Sequence, residues 1–182
     1  MKKFLLSATI LILFFSIGNI EAGGHKAPGI ALEDIDGQFT MLSSLLAKSN
    51  VIISFWSYDC VPCRKEMPEL NQLSQSDLFK QKKVKVVFVY VEATTEKSTK
   101  DSESKAPKDK AIEVLNQLKV KEMCLLDIYG VAFNNYRKAT NVDKATMPLL
   151  YLLNQKQEIL FKAVGYNEEN LKKLEKAIEN KL

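Results

Sequence analysis

An apolar run, Val51-Ile52-Ile53-Ser54-Phe55, breaks off shortly before two cysteines spaced three apart, Cys60 and Cys63. The run is rich in β-branched and aromatic residues and suits a buried strand. After the cysteines, Met67, Leu70 and Leu73 recur at three-residue spacing, which marks one face of a helix. The unit is therefore strand, turn, helix, with Cys60 at the turn and Cys63 in the first helical turn. That position has chemical consequences. The first N–H groups of a helix lack intrahelical partners, and the helix dipole adds partial positive charge there. Both favour a thiolate, the reactive form of cysteine. Three residues is also a spacing at which a helix start can close a disulfide back onto the turn before it.

Other uses of the pair fit less well. A zinc site needs two further Cys or His ligands. The chain offers Cys124 and His25, at separations that match no zinc spacing, so no metal site is expected. A purely structural disulfide across so short a loop would restrict the unfolded chain little. Reversible dithiol chemistry uses every feature of the stretch.

Trp56 through Leu70 resembles the active-site signature of the thioredoxin superfamily. Within it, Cys60-Val61-Pro62-Cys63-Arg64-Lys65-Glu66-Met67-Pro68-Glu69-Leu70 resembles the TlpA/ResA-like branch of exported, membrane-associated thiol–disulfide oxidoreductases. The resemblance runs from about Lys26 to the C-terminus. It implies an α/β fold, a thioredoxin-like three-layer sandwich with an N-terminal β-hairpin extension, over residues 26–182. It implies a redox-active Cys60–Cys63 disulfide in which Cys60 attacks and Cys63 resolves. Glu66 would shape the thiol acidities and assist proton transfer, and Trp56 would contact substrate. Met147-Pro148 would form a cis-proline loop facing the dithiol, with the Met147 backbone pairing with an extended substrate. No cofactor is implied. The chain departs from the family at Asp59, where tryptophan is usual. A carboxylate there opposes the helix dipole and disfavours the Cys60 thiolate. Asp59 is thus expected to tune the site towards a more reducing couple than that of DsbA-type oxidants.

The chain has 182 residues, enough for one ordinary domain. Its 26 basic and 22 acidic residues nearly balance, and no basic face is interleaved with aromatics, which argues against a nucleic-acid partner. Met1-Lys2-Lys3 followed by the apolar run Phe4–Ile17 and then Gly18–Gly24 reads as a secretory signal peptide. The domain boundary is set at residue 22, since cleavage after Ala22 is expected, with an uncleaved anchor as the alternative. Either way the domain is expected to work outside the cytoplasm, in the periplasm or on the outer face of the membrane. There an exposed dithiol is an oxidant or is kept reduced by a partner.

Alternation over Ile30, Leu32 and Ile35, with Asp36-Gly37 as a turn signal, predicts a hairpin, and Ser43 or Ser44 is expected to cap a short helix after it. His25 reads as a solvated terminal residue. Pro68 is expected to kink the helix Arg64–Ser74. Lys85–Val91 is continuously apolar after its first residue, as in a strand covered on both faces. Ala93–Lys110 is polar without period and reads as a surface loop. A helix is predicted over about Lys108–Leu118, with Ile112, Leu115 and Leu118 inward. Met123–Leu126 predicts a short buried strand holding Cys124 as a core thiol. A short helix over Val131–Lys138, a strand opened by Pro148 and running to Asn154, a strand over Glu158–Gly165, and an amphipathic helix over Asn167–Leu182 complete the chain. In that last helix Leu171, Leu174 and Ile178 face inward and Lys172, Lys173 and Lys176 outward.

The expected function is reduction of disulfides in exported proteins, with apocytochrome c as one substrate class the resemblance suggests. A membrane thiol reductant is the expected partner. Two rivals stand beside it. A peroxiredoxin-like peroxidase would carry Pro and Thr before a single peroxidatic cysteine, and Ile53–Asp59 has neither. A copper-delivery module would need a distal histidine beside the two cysteines, and His25 is the single histidine.

Overall fold

The computed structural model describes residues 25–92 and 105–182. The expected signal peptide and most of the polar loop after Ala93 lie outside those residues. Two short strands, β1 (Ala31–Glu33) and β2 (Phe39–Met41), pair antiparallel with Leu32 opposite Thr40. Asp34 closes their turn: its Oδ1 accepts from the N–H groups of Asp36 and Gln38, and Gly37 supplies a φ of 80°. This is the predicted hairpin. The helix α1 (Leu42–Leu46) follows at once, and here the expected cap is corrected. Ser43 and Ser44 lie inside the helix, the N-cap position is Met41, and the Leu42 N–H is satisfied by the Ile30 carbonyl at 2.9 Å. A backbone acceptor has taken the place of a side-chain cap.

The remaining elements are β3 (Asn50–Trp56), α2 (Val61–Leu73), α3 (Asp77–Gln81), β4 (Val84–Val91), α4 (Pro107–Leu118), β5 (Met123–Asp127), α5 (Val131–Ala139), β6 (Leu149–Leu153), β7 (Ile159–Val164) and α6 (Glu168–Lys181). The sheet order is β5-β4-β3-β6-β7. β4 lies parallel to β3 and to β5, whereas β6 is antiparallel to both β3 and β7.

Strand parity in β3 divides the core in two. Ile52 and Trp56 join a cluster with Cys63, Met67 and Leu70 of α2, Phe79 of α3, Val114 of α4 and Leu174 and Ile178 of α6. Val51, Ile53 and Phe55 join the opposite cluster with Leu42 and Leu46 of α1 and Phe133 and Tyr136 of α5. Helices therefore cover both faces of the sheet, which gives the expected three-layer α/β sandwich. Alternation in a strand sends successive side chains to opposite faces, so Ser54 must share the face of Ile52 and Trp56.

Three details differ from the sequence reading. α2 starts at Val61 rather than Arg64 and ends at Leu73, with Pro68 inside it as expected. α4 turns Ala111, Val114 and Leu115 into the core, leaving Ile112 and Leu118 half-buried. α3 was not foreseen. Ser76 caps it, accepting from the Phe79 N–H at 3.4 Å, and the fully buried Phe79 anchors it. Among the described residues no helix is long and apolar enough to cross a membrane.

The topology collects loops at one edge of the sheet. β3, β4, β5 and β7 end there and β6 begins there. Phe55 pairs with Leu149, and Leu149 with Val164. The dithiol turn, Met147-Pro148 and Gly165-Tyr166 therefore emerge side by side.

Candidate active site

Cys60 and Cys63 form a disulfide, with their Cα atoms 5.3 Å apart. Cys60 is the N-cap residue of α2, and its Sγ accepts the Cys63 N–H at 3.2 Å. The sulfur occupies the place that a serine or aspartate oxygen takes at other helix starts. Pro62 sits in the first turn, where a missing N–H costs nothing. The pair is asymmetric. Cys60 keeps 8% of its surface exposed, Cys63 none, and Val61 beside Cys60 is 65% exposed. Solvent reaches the first cysteine.

The turn before the helix is held from α2 and α4. The Arg64 guanidinium donates to the Tyr58 carbonyl at 2.9 Å and lies 5.4 Å from the centroid of the Tyr58 ring. The Tyr58 hydroxyl reaches Glu113 at 3.3 Å. Asp59 points outward and is exposed.

Glu66 lies one helical turn beyond Cys63 and is buried, with 2% of its surface exposed. It is no surface glutamate. The fully buried Ser54 hydroxyl donates to Glu66 Oε1 at 2.7 Å. Burial pushes the Glu66 carboxyl up from 4.5 to about 7; the Ser54 hydrogen bond pulls it back and the Glu69 carboxylate adds to the rise. A carboxyl that exchanges protons near neutrality thus sits on the same helix face as Cys63. Sequence reasoning missed Ser54, although a hydroxyl in the middle of a buried strand needs a partner, and that need was visible.

Trp56 corrects an expectation. It was expected to contact substrate, but its side chain is wholly buried, with its ring 5.0 Å from that of Tyr90 in an edge-to-face pair. β3 extends through Trp56, and its parity sends the indole under the dithiol into the core, so it supports the site from below. Cys124 is a buried free thiol, and burial pushes it up to about 12, with the Trp56 indole drawing it partly back. It is held as a neutral core thiol.

The Met147-Pro148 peptide is cis. The Pro148 carbonyl accepts from the Gly165 N–H at 2.8 Å, which fixes the loop at the edge where the dithiol emerges. Sequence reasoning also missed Glu69 and Tyr166, whose hydroxyl donates to Glu69 Oε1 at 2.5 Å. His25 lies elsewhere. Its carbonyl accepts from Ile159, at the start of β7, so it sits at the opposite end of the sheet from the dithiol.

The sequence matches the redoxin family over residues 22–178. It is 37% identical over 68 residues to the thiol–disulfide oxidoreductase ResA of Geobacillus thermodenitrificans, covering 37% of this chain and 38% of that protein. With ResA of Geobacillus kaustophilus the identity is 35% over 83 residues, 46% of each chain. These matches span less than half the length of the curated relatives. The fold is similar to that of a Chlorobium tepidum protein assigned as a thiol:disulfide interchange protein DsbE, with a TM-score of 0.65 and 26% identity over 86% of this chain and 95% of that one. Together with the Cys60–Cys63 site, these findings establish that the chain belongs to the redoxin family and is a ResA/TlpA-like member of the thioredoxin superfamily.

Proposed function

We propose that this protein is an extracytoplasmic thiol–disulfide oxidoreductase that reduces disulfides in exported proteins. One observation carries the reading: a Cys60–Cys63 disulfide at the start of α2, backed by a buried carboxyl poised near neutrality at Glu66. The relatives named ResA support the activity, and the apolar segment after Met1-Lys2-Lys3 supports the location. In the reducing direction the Cys60 thiolate attacks one sulfur of a substrate disulfide. A mixed disulfide forms and one substrate thiolate leaves. Cys63 then gives its proton to the Glu66 carboxylate and attacks Cys60 Sγ. The Cys60–Cys63 disulfide forms, the second substrate thiolate leaves, and two electrons have passed to the substrate. A membrane thiol reductant restores the dithiol.

Met147 and Pro148 take the substrate chain beside Cys60, and Asp59 tunes the thiolate from the exposed side of the turn. Copper delivery is disfavoured by the place of His25, since six residues of β7 at about 3.3 Å each separate its end of the sheet from the dithiol.

Trapping tests the assignment. Cys63→Ser leaves the attacking thiol without its resolving partner and should accumulate mixed disulfides with exported proteins, apocytochrome c among the candidates. Cys60→Ser should accumulate few. Equal trapping by the two variants would sink the assignment. Redox equilibration with glutathione should place the couple nearer thioredoxin, about −270 mV, than DsbA, about −120 mV. A value at the DsbA end would make the protein an oxidant.

A further inference from the structure

Glu66 shares α2 with a second carboxylate. One turn further along α2, Glu69 accepts the hydrogen bond from Tyr166. Tyr166 stands between β7 and α6, directly after Gly165, whose N–H holds the Pro148 carbonyl. A single short segment therefore ties α2 to the proline loop. Glu69 also lines a cleft of about 650 Å³ between the end of α2 and α6, together with Glu168, Lys172 and Glu175. Residues three apart on a helix are neighbours, roughly 5–6 Å between Cβ atoms. The carboxyl of Glu66 is dry and that of Glu69 is wet, and they share one face.

We propose that Glu69 and Tyr166 are a positioning pair for the dithiol reaction: Tyr166 holds the Glu69 carboxylate one helical turn from Glu66, and that anion adds to burial in favouring protonated Glu66 as it exchanges its proton with Cys63. The proposal rests on the thiol–disulfide reading above. A nearby like charge disfavours ionisation of a second carboxyl, and Glu69 acts on Glu66 in that direction. The hydrogen bond to Glu69 is the first cause that pushes the Tyr166 phenol up to about 12, so Tyr166 keeps its proton and stays a donor at neutral pH.

The groups that face Glu66 divide into opposing sets. From β3, Ser54 favours its ionised form. From α2, Glu69 opposes it, and Cys63 does not titrate while in the disulfide. From α6, Glu168, Lys172 and Glu175 surround the wet side of Glu69. Towards α4, Glu113 is engaged by Lys105 at 2.6 Å and by Tyr58, while Arg64 of α2 donates to the Tyr58 carbonyl. Among the described residues Tyr166 is the one side chain bonded to Glu69, so the pair is a removable charge with a single tether.

The test uses the oxidised full chain with glutamate carboxyls labelled with carbon-13, so that Glu66 is titrated by NMR without any turnover. Glu69→Gln should lower the Glu66 midpoint by about a few tenths of a pH unit, with burial still holding it above the ordinary carboxylate range. Tyr166→Phe, which keeps the ring, should move it the same way by less. The limb of the pH profile of insulin-disulfide reduction that reports Glu66 should move with it. A midpoint unmoved in Glu69→Gln overturns the pair. A midpoint that moves while the pH profile stays fixed overturns its role in the reaction. Failure of the wild type to reduce insulin would strike the thiol–disulfide reading instead, and the NMR titration keeps the two failures apart.

Discussion

Replacing Glu66 by glutamine should change how stability depends on pH, and the structure sets the size of the effect. Glutamine keeps an oxygen that can accept from Ser54, so the 2.7 Å hydrogen bond survives while the titration is lost. In the folded chain the carboxyl is raised from 4.5 to about 7, mainly by burial. A group whose pKa is raised on folding binds its proton more tightly in the native state. Its stabilising contribution is complete below the unfolded value and is lost as pH rises through the folded one. The window therefore opens near pH 4.5 and closes near pH 7. A shift of about 2.5 units at about 1.4 kcal/mol each corresponds to about 3 kcal/mol. Urea unfolding of the oxidised protein, with both active-site cysteines locked in the disulfide, should show wild type losing about that much against Glu66→Gln between pH 4 and pH 8. Parallel stability curves for the two proteins would show that Glu66 titrates like an exposed carboxyl, and the argument from burial would fall.

Ser54→Ala removes the hydrogen bond that favours ionised Glu66, so the Glu66 titration should move to higher pH, in the opposite sense to Glu69→Gln; carbon-13 NMR of the labelled carboxyl decides, and a downward move would contradict the assignment. Asp59→Asn should raise the reduction potential, but by no more than about 20 mV, because an exposed charge is screened by water; glutathione equilibration measures it, and a fall in potential would reverse the electrostatic sign. Cys124→Ala should leave insulin reduction intact, and in the folded wild type Cys124 should resist iodoacetamide at pH 8, since burial holds its thiol up at about 12. Loss of turnover in a folded Cys124→Ala variant would show a redox role for that thiol.

The parts of the site that follow from local chain geometry were legible. Cys60 and Cys63 announce a helix start, and α2 begins at Val61 with Cys60 as its cap. The hairpin was legible because Asp34, Asp36 and Gly37 carry its turn in their own side-chain and backbone preferences. What depended on packing between distant segments was not. Glu66 stands between Lys65 and Met67, and nothing in that spacing says whether it meets water or β3. Only the parity of β3, which puts Ser54 on the α2 face, decides that it is buried. Trp56 misled for the same reason: it belongs to the strand, and strand parity buries it. In α4 the inner positions went to Ala111, Val114 and Leu115 and left Ile112 half-buried, a helix phase set by packing against α2 and β5 rather than by the apolar spacing. α3 spans five residues, too few for any period to emerge.

The two sulfurs stand in opposite electrostatic settings, and the order of the two half-reactions follows from that. Cys60 caps α2, where partial positive charge and the Cys63 N–H both stabilise a thiolate. Cys63 lies wholly inside, on the face of Glu66 and beneath the cap. An anion there would have no water and would meet a carboxylate whenever Glu66 had lost its proton. A reduced pair therefore places its charge on Cys60, the one sulfur that solvent and a substrate disulfide can reach. In the mechanism proposed above, Cys63 becomes nucleophilic as its proton passes to Glu66. On that proposal attack from Cys60 comes first, and release waits on the carboxyl that Ser54 and Glu69 pull in opposite directions.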